Sequence, residues 1–245
     1  KRLAEGFDTY RLYVGADLDA DVAFLTRLRS EFGGQVAVKS LDFSHLLDWK
    51  SARTAMRRFE RFDFTLVESP APRHDAKGLA EFRRAVDHPV SEHVWSFEQM
   101  RALIEHDAVD IFNLAPIFIG GLSAARKAFA VAAAYGKRCL IGTTQELSIG
   151  VAAMAQLGAA MANLTDISDP TGPALYLDDV VQARVRYEDG YLLVPDAKLP
   201  GLGVALDPAR LEAARADLVW DDVPVHAVLD RTAEPSASGP AKSAS

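Results

Sequence analysis

The chain reads as an α/β protein built on a parallel sheet. Three observations predict this. Apolar strand-like runs alternate with helix-patterned segments about six times. Three successive runs, Val36 to Asp42, Phe64 to Glu68 and Pro89 to Glu92, close on a carboxylate. Those carboxylates, Asp42, Glu68 and Glu92, stand 26 and 24 residues apart, about one strand plus one helix with two short loops. The 245 residues suit one α/β barrel, which typically needs roughly 250. A closed barrel and an open doubly wound sheet both satisfy the alternation.

The elements follow in order. Thr9 to Gly15 is a strand closed by glycine, and Ala20 to Phe32 a helix with Val22, Leu25, Leu28 and Phe32 on one face. Gln35 to Leu41 is the second strand. Leu47 to Phe59 is helical, with Trp49, Ala52, Met56 and Phe59 at helical spacing. Asp63 to Glu68 is a strand broken by Pro70 and Pro72. Leu79 to Val86 is a helix and His88 to Glu92 a strand. Ser96 and Gln99 form a capping box that opens a helix to His106. Val109 to Leu114 is a strand. Gly120-Gly121 precedes a helix from Ser123 to Tyr135, ended by Gly136. That glycine pair either receives an anion at the helix start or only makes a tight turn. Arg138 to Gly142 is a strand and Ser148 to Ala162 an alanine-rich helix. The alternation then stops. Arg184 to Val194 is a hairpin turning on Asp189-Gly190, Pro200 to Gly203 a turn, and Pro208 to Ala216 a short helix. From Thr232 the composition is Pro, Ser, Ala and Gly, so 1–231 is the folded domain and 232–245 a disordered tail.

Composition narrows the function classes. A net charge of −7 argues against non-specific nucleic-acid binding. No apolar run is long enough to span a membrane, and no signal peptide opens the chain. The single cysteine, Cys139, lies in an apolar run and reads as a core residue. A protein without disulfides fits a reducing, cytoplasmic compartment. The chain begins on Lys1 and in mid-pattern, which raises the expectation that a segment upstream is missing. The dinucleotide and P-loop fingerprints are absent.

If the strands are parallel neighbours, Asp42, Glu68 and Glu92 emerge at one end of the sheet. Three hard oxygen donors converging there suit Mg²⁺. The alternative is a set of solvated strand-end acids. His45 lies just beyond Asp42, and His93 directly follows Glu92. Either could serve as acid or base, or simply stand beside the site; His45 is taken as a functional candidate. Lys39 has the wrong strand parity relative to Asp42 and is expected to face the helices. Arg73 and His74 look like loop surface, and Trp49 and Trp95 like packing residues.

These strand ends, then Gly120-Gly121, the run Gly142 to Gly150 and finally Leu199 to Gly203 come in a recognisable order. From about Gly6 to about Leu211 the chain resembles the C-terminal barrel of the enolase superfamily, in the mandelate racemase and muconate lactonizing enzyme branch. The resemblance implies a modified TIM barrel of the (β/α)7β type, here lacking the N-terminal capping domain and the first barrel strand. It implies Mg²⁺ held by Asp42, Glu68 and Glu92, and a base that removes the proton next to a substrate carboxylate, with the ion stabilising the enediolate. It matches Glu146 to a glutamate that helps hold substrate or enolate.

The chain departs from the family pattern at the acid–base residues. The usual Lys-x-Lys of the second barrel strand reads Arg11-Leu12-Tyr13, and the usual sixth-strand lysine or aspartate matches Ala115. The expectation is therefore that Tyr13 is the base, with Arg11 lowering its pKa; otherwise Tyr13 packs and Arg11 pairs with a site carboxylate. Two lysines on opposite faces would suit a racemase better. The expected function is thus a Mg²⁺-dependent dehydratase, a lyase acting on a hydroxy or sugar acid. The alternatives are a racemase or cycloisomerase, or a non-catalytic truncated barrel. The expected partners are a small carboxylate substrate and other copies of the full-length chain.

Overall fold

The computed structural model describes residues 1–196 and 198–215. Six parallel strands pair in strictly sequential order: β1 (Thr9–Tyr13), β2 (Ala37–Asp42), β3 (Leu66–Glu68), β4 (Val90–His93), β5 (Ile111–Asn113) and β6 (Arg138–Leu140). A doubly wound sheet reverses its strand order at a switch point. Here the order never reverses, so the wall winds in one sense, as a barrel does. The seventh position is not a regular strand. Leu164 makes a single parallel bridge to Cys139, and the chain runs beside β6 to Asp169, whose N–H donates to Ile141 O at 2.9 Å.

Six helices of nine residues or more connect or follow the strands: α1 (Leu18–Phe32), α2 (Trp49–Phe59), α3 (Ala76–Arg84), α4 (Phe97–Glu105), then a one-turn α5 (Pro116–Ile119), α6 (Leu122–Ala134) and α7 (Ser148–Ala160). Their starts follow from local chemistry. Asp17, Asp48, Asp75 and Ser96 each accept backbone N–H groups of the first turn that have no partner within the helix. The Gly120-Gly121 pair separates α5 from α6, with both residues at positive φ (97° and 99°). The expected hairpin is shorter than its sequence signal: only Tyr187–Glu188 and Tyr191–Leu192 pair. The last helix among the described residues runs from Pro208 to Ala213. The expected tail, 232–245, lies outside the described residues.

Strand parity divides the core in two. Val38, Leu41, Val67, Val90, Phe112 and Cys139 pack outward in the large core that also takes in Phe59, Phe82 and Phe129 of the helices. Burial pushes the Cys139 thiol up to about 12, which makes it an inert core residue. Inside the barrel, Leu66, Ile111 and Leu140 form a small separate cluster, a plug of the kind that fills barrel interiors. Above it the inward positions turn polar: Ser40, Asp42, Glu68, Ser91 and Asn113, all buried.

The parity expected for Lys39 fails for a local reason. The β1–β2 register slips between Tyr10↔Val38 and Arg11↔Ser40, leaving Lys39 unpaired in a bulge. Thr65 N–H is shared between the Val38 and Lys39 carbonyls. The bulge resets the alternation, so Lys39 points inward and is 2% exposed. Its Nζ donates to Asp169 Oδ2 at 2.5 Å and to Ile167 O at 3.2 Å, across the interior from β2. A lysine this deeply buried depends on its partner. Asp169→Ala is expected to cost about 3 kcal/mol or more, because it strands an uncompensated charge. Lys39→Met with Asp169→Leu should recover most of that loss, as read by urea unfolding.

Candidate functional site

The site is built at the C-terminal ends of β1 to β5. Asp42 and Glu68 are direct register partners on β2 and β3, so both carboxylates point into the barrel mouth side by side. Both are buried, with side chains 5% and 0% exposed. Arg11 of β1 reaches between them. Its Nη1 lies 3.2 Å from Glu68 Oε1 and 3.9 Å from Asp42 Oδ2, and its Nη2 donates to the Tyr13 hydroxyl at 2.7 Å. The pairing expected as the alternative role for Arg11, with a site carboxylate, is thus present in the geometry.

Glu92 stands at its expected strand end but takes a different direction. Glu68 is in register with Ser91, so alternation gives the inward place to Ser91 and His93. Glu92 Oε1 instead meets His45 Nε2 at 2.8 Å, the Ser69 hydroxyl at 3.2 Å and the His93 N–H at 2.8 Å. His93 points inward, and its Nε2 is 2.9 Å from Glu68 Oε1. Asn113 of β5 donates to the same Glu68 oxygen at 3.3 Å. Sequence reasoning missed Asn113; the available signal was a lone amide in the apolar strand Ile111 to Leu114. It left His93 open, although period-two alternation from Ser91 places it inward.

Backbone strain concentrates here. Six described non-glycine residues have positive φ, and Ser44 (49°), His45 (59°), Ser69 (50°) and Gln145 (69°) are at strand ends of this face. Such residues cost about 1–3 kcal/mol each unless their surroundings hold them. The holding contacts are visible: Ser44 N–H donates to Asp42 Oδ1 at 2.7 Å, and His45 N–H to Ser69 O at 3.0 Å. This double turn is what carries His45 across to Glu92.

The remaining expected residues are placed as follows. Ala115 is fully buried at the start of α5, with no acid–base group. The Glu146 carboxylate is taken up by its own loop. It accepts from Thr144 N–H at 2.9 Å and the Thr144 hydroxyl at 2.7 Å, and also from the Thr143 hydroxyl. Arg73 is not free loop surface: its guanidinium stacks over Trp95 at 4.0 Å, and Trp95 stacks on Phe118 at 3.8 Å. Phe118 also meets His93 edge-on at 5.5 Å. These rings form an aromatic wall beside the carboxylates. Trp49 packs against the main core, as expected.

The charges set each other's protonation. Burial alone would raise Glu68, but the hydrogen bond and charge of His93, with Arg11 behind them, hold it near 2. Burial and the neighbouring Glu68 push Asp42 up to about 6, against Arg11 and His93. Burial disfavours the His93 imidazolium, yet the Glu68 hydrogen bond and charge outweigh it and raise His93 above its ordinary value. The expected lowering of Tyr13 by Arg11 meets an opposing effect. Arg11 does lower it, but burial, with Asp42 and Glu68, more than offsets that, and its pKa is raised. A tyrosine raised above its ordinary value carries its proton at neutral pH.

The donor set fits a small hard divalent ion in kind: three carboxylates on successive strand ends and no thiolate. Glu68 Oε2 is buried without a hydrogen-bond partner among the described residues, an oxygen in want of a cation. As placed, no three His, Cys, Asp or Glu side chains among the described residues are gathered around an ion position. Arg11 and His93 hold Glu68, Arg11 also faces Asp42, and His45 holds Glu92.

Residues 1–210 match the family model described as Enolase C-terminal domain-like. The L-Ala-D/L-Glu epimerase of Bacillus subtilis (strain 168) is 30% identical over 207 residues, covering 82% of this chain and 56% of that protein. Muconate cycloisomerase 1 of Rhodococcus opacus is 29% identical over 202 residues, covering 81% and 53%. Among solved structures, 2-chloromuconate cycloisomerase from Rhodococcus opacus 1CP superposes with a TM-score of 0.80 at 30% identity, covering 88% of this chain and 58% of that one. The chain thus spans little more than half the length of these relatives.

These protonation states bear on stability. His93 folded holds its proton to higher pH than unfolded, so its contribution is full below pH 6.5 and is lost as pH rises through the folded value. Asp42 acts in the same sense between about 6 and 3.8, because the folded state binds the proton more tightly. Glu68 acts oppositely, losing its contribution only as pH falls below 4.5 toward about 2. The fold is therefore expected to be more stable near pH 5 than near pH 8, by on the order of 1 kcal/mol. His93→Gln should reduce that difference and leave the part that belongs to Asp42. Urea midpoints at the two pH values check both.

Proposed function

As the chain belongs to the Enolase C-terminal domain-like family, we propose that it serves as an isomerase of that kind, moving a proton at a carbon next to a substrate carboxylate. The observation that carries this reading is the Asp42–Arg11–Glu68 constellation with the Tyr13 phenol hydrogen-bonded to Arg11. The relatives named above are epimerases and cycloisomerases, and they support the isomerase alternative better than the dehydratase expected from sequence.

Within that class the residues favour a one-face reaction. An epimerase must take a proton from one face of a carbon and return one to the other. Here β1 carries a proton-bearing group, while the strand-end position across the barrel is the buried methyl of Ala115. A cycloisomerase-type step needs only one donor. When an internal nucleophile adds to a double bond conjugated to a carboxylate, the resulting enediolate carbon takes a single proton. Tyr13, a phenol at neutral pH with its hydroxyl fixed by Arg11, is suited to give it.

Mg²⁺ would be held by Asp42 and Glu68, with Glu92 joining only on release from His45, and would supply charge stabilisation to the enediolate. The chain's own residues do the rest. His45 and Ser69 position Glu92, His93 and Asn113 fix Glu68, and the Arg73–Trp95–Phe118 wall excludes water from one side. The substrate is a small carboxylate, and the partner of the whole protein is another copy of itself.

The test is turnover of unsaturated dicarboxylates and of dipeptides in D₂O, followed by NMR and mass spectrometry. The expected product conserves the mass of the substrate apart from one deuteron beside the carboxylate. Tyr13→Phe should lower kcat by roughly 10²- to 10⁴-fold. Release of water with a keto acid would instead mark a dehydratase, and no turnover of either class in a folded, metal-supplied chain would mark a non-catalytic barrel.

A further inference from the structure

The barrel mouth holds the buried Asp42–Glu68 pair, with the buried Glu92 turned to His45 beside it, and the family reading asks a divalent ion to neutralise these carboxylates. The geometry shows another cation already between two of them. We propose that Arg11 is the resident counter-ion of this barrel: its guanidinium and a divalent ion are alternative occupants of the Asp42–Glu68 pair. Metal then binds only as Arg11 moves out. This rests on the reading that Asp42, Glu68 and Glu92 are the metal-holding set.

Three observations carry it. Arg11 Nη1 lies within 3.2 Å of Glu68 and 3.9 Å of Asp42, both nearly inaccessible to water, and the Arg11 side chain is itself only 11% exposed. A guanidinium keeps its charge at any working pH, so it cannot yield the place by losing a proton; it must move. It has somewhere to go: its Nη2 already donates to Tyr13 at 2.7 Å, and its Cζ lies 5.0 Å from the centre of the ring of Tyr13, a residue 60% exposed. A second carboxylate oxygen, Glu68 Oε2, remains buried and without a partner among the described residues. Arg11 thus satisfies the pair incompletely and leaves an oxygen for a competitor. Two cations of like sign cannot share so small a volume without strong repulsion.

The consequence is a barrel that folds without metal and binds it weakly. Removing Arg11 should reverse both properties. Mn²⁺, used alone as the probe, is titrated into the full chain, Arg11→Met and Arg11→Lys, with binding read by electron paramagnetic resonance and thermal stability read with and without the ion. Arg11→Met is expected to bind Mn²⁺ about tenfold tighter or more than the unaltered chain. Its melting temperature should drop without the ion and be restored by it. Arg11→Lys, which keeps the charge, should stay near the unaltered chain. If Arg11→Met does not fold without the ion, Arg11→Gln, which retains a donor toward Glu68 but no charge, gives the same comparison. Binding by the unaltered chain that neither neutral substitution tightens would overturn the counter-ion role and leave the carboxylate site standing. Absence of Mn²⁺ binding in every folded variant would overturn the metal-holding set and the competition with it.

Discussion

Burying carboxylates side by side is the constraint on which the rest of this structure depends. A single desolvated carboxylate costs several kcal/mol unless a cation or several donors meet it. Asp42 and Glu68 sit next to each other in register, with Glu92 one strand on. Each has found a partner from a different element: Arg11 from β1, His93 from β4, and His45 from the turn after β2. The paired groups tie β1, β2, β3 and β4 together at one end. Next to them in the interior lies the apolar plug of Leu66, Ile111 and Leu140. The wall is thus held by grease below and by charge above.

The strain in the backbone follows from the same constraint. His45 can reach Glu92 only if the chain after Asp42 turns sharply, and two successive left-handed residues make that turn. Asp42 contributes twice, through its charge and through its oxygen accepting from Ser44. A residue that sets both electrostatics and backbone path tolerates little change. Lys39 and Asp169 repeat the logic lower in the barrel, where a bulge turns a long cation inward to an acid across the interior.

Much of the fold was legible because alternation is a strong signal. Six strands and the long helices fall near where periodicity puts them, and Ser96 caps its helix as read, whereas the caps Asp17, Asp48 and Asp75 went unread, so that α1 and α3 begin at Leu18 and Ala76, ahead of the expected Ala20 and Leu79. The choice between barrel and open sheet was not legible, since strand order is not written in alternation. The strand-end placement of Asp42 and Glu68 could be read because spacing and strand ends are local properties. The direction of Glu92 could not, because it depends on register with β3, a pairing across residues distant in sequence. The inward Lys39 was hidden by a one-residue bulge, which inverts every parity argument that crosses it. The raised pKa of Tyr13 was not legible, because a neighbouring arginine is visible in sequence, while burial beside two acids is not.

The claim at the centre is that Arg11 and Glu68 neutralise each other in the buried mouth. A double-mutant cycle measures it directly: unfolding free energies of the unaltered chain, Arg11→Met, Glu68→Gln and the double substitution. The expected result is a large coupling, on the order of 2–3 kcal/mol, with the double substitution recovering much of what either single one loses. Losses that simply add would contradict the pairing, and the barrel mouth would then be held by something other than its own charges.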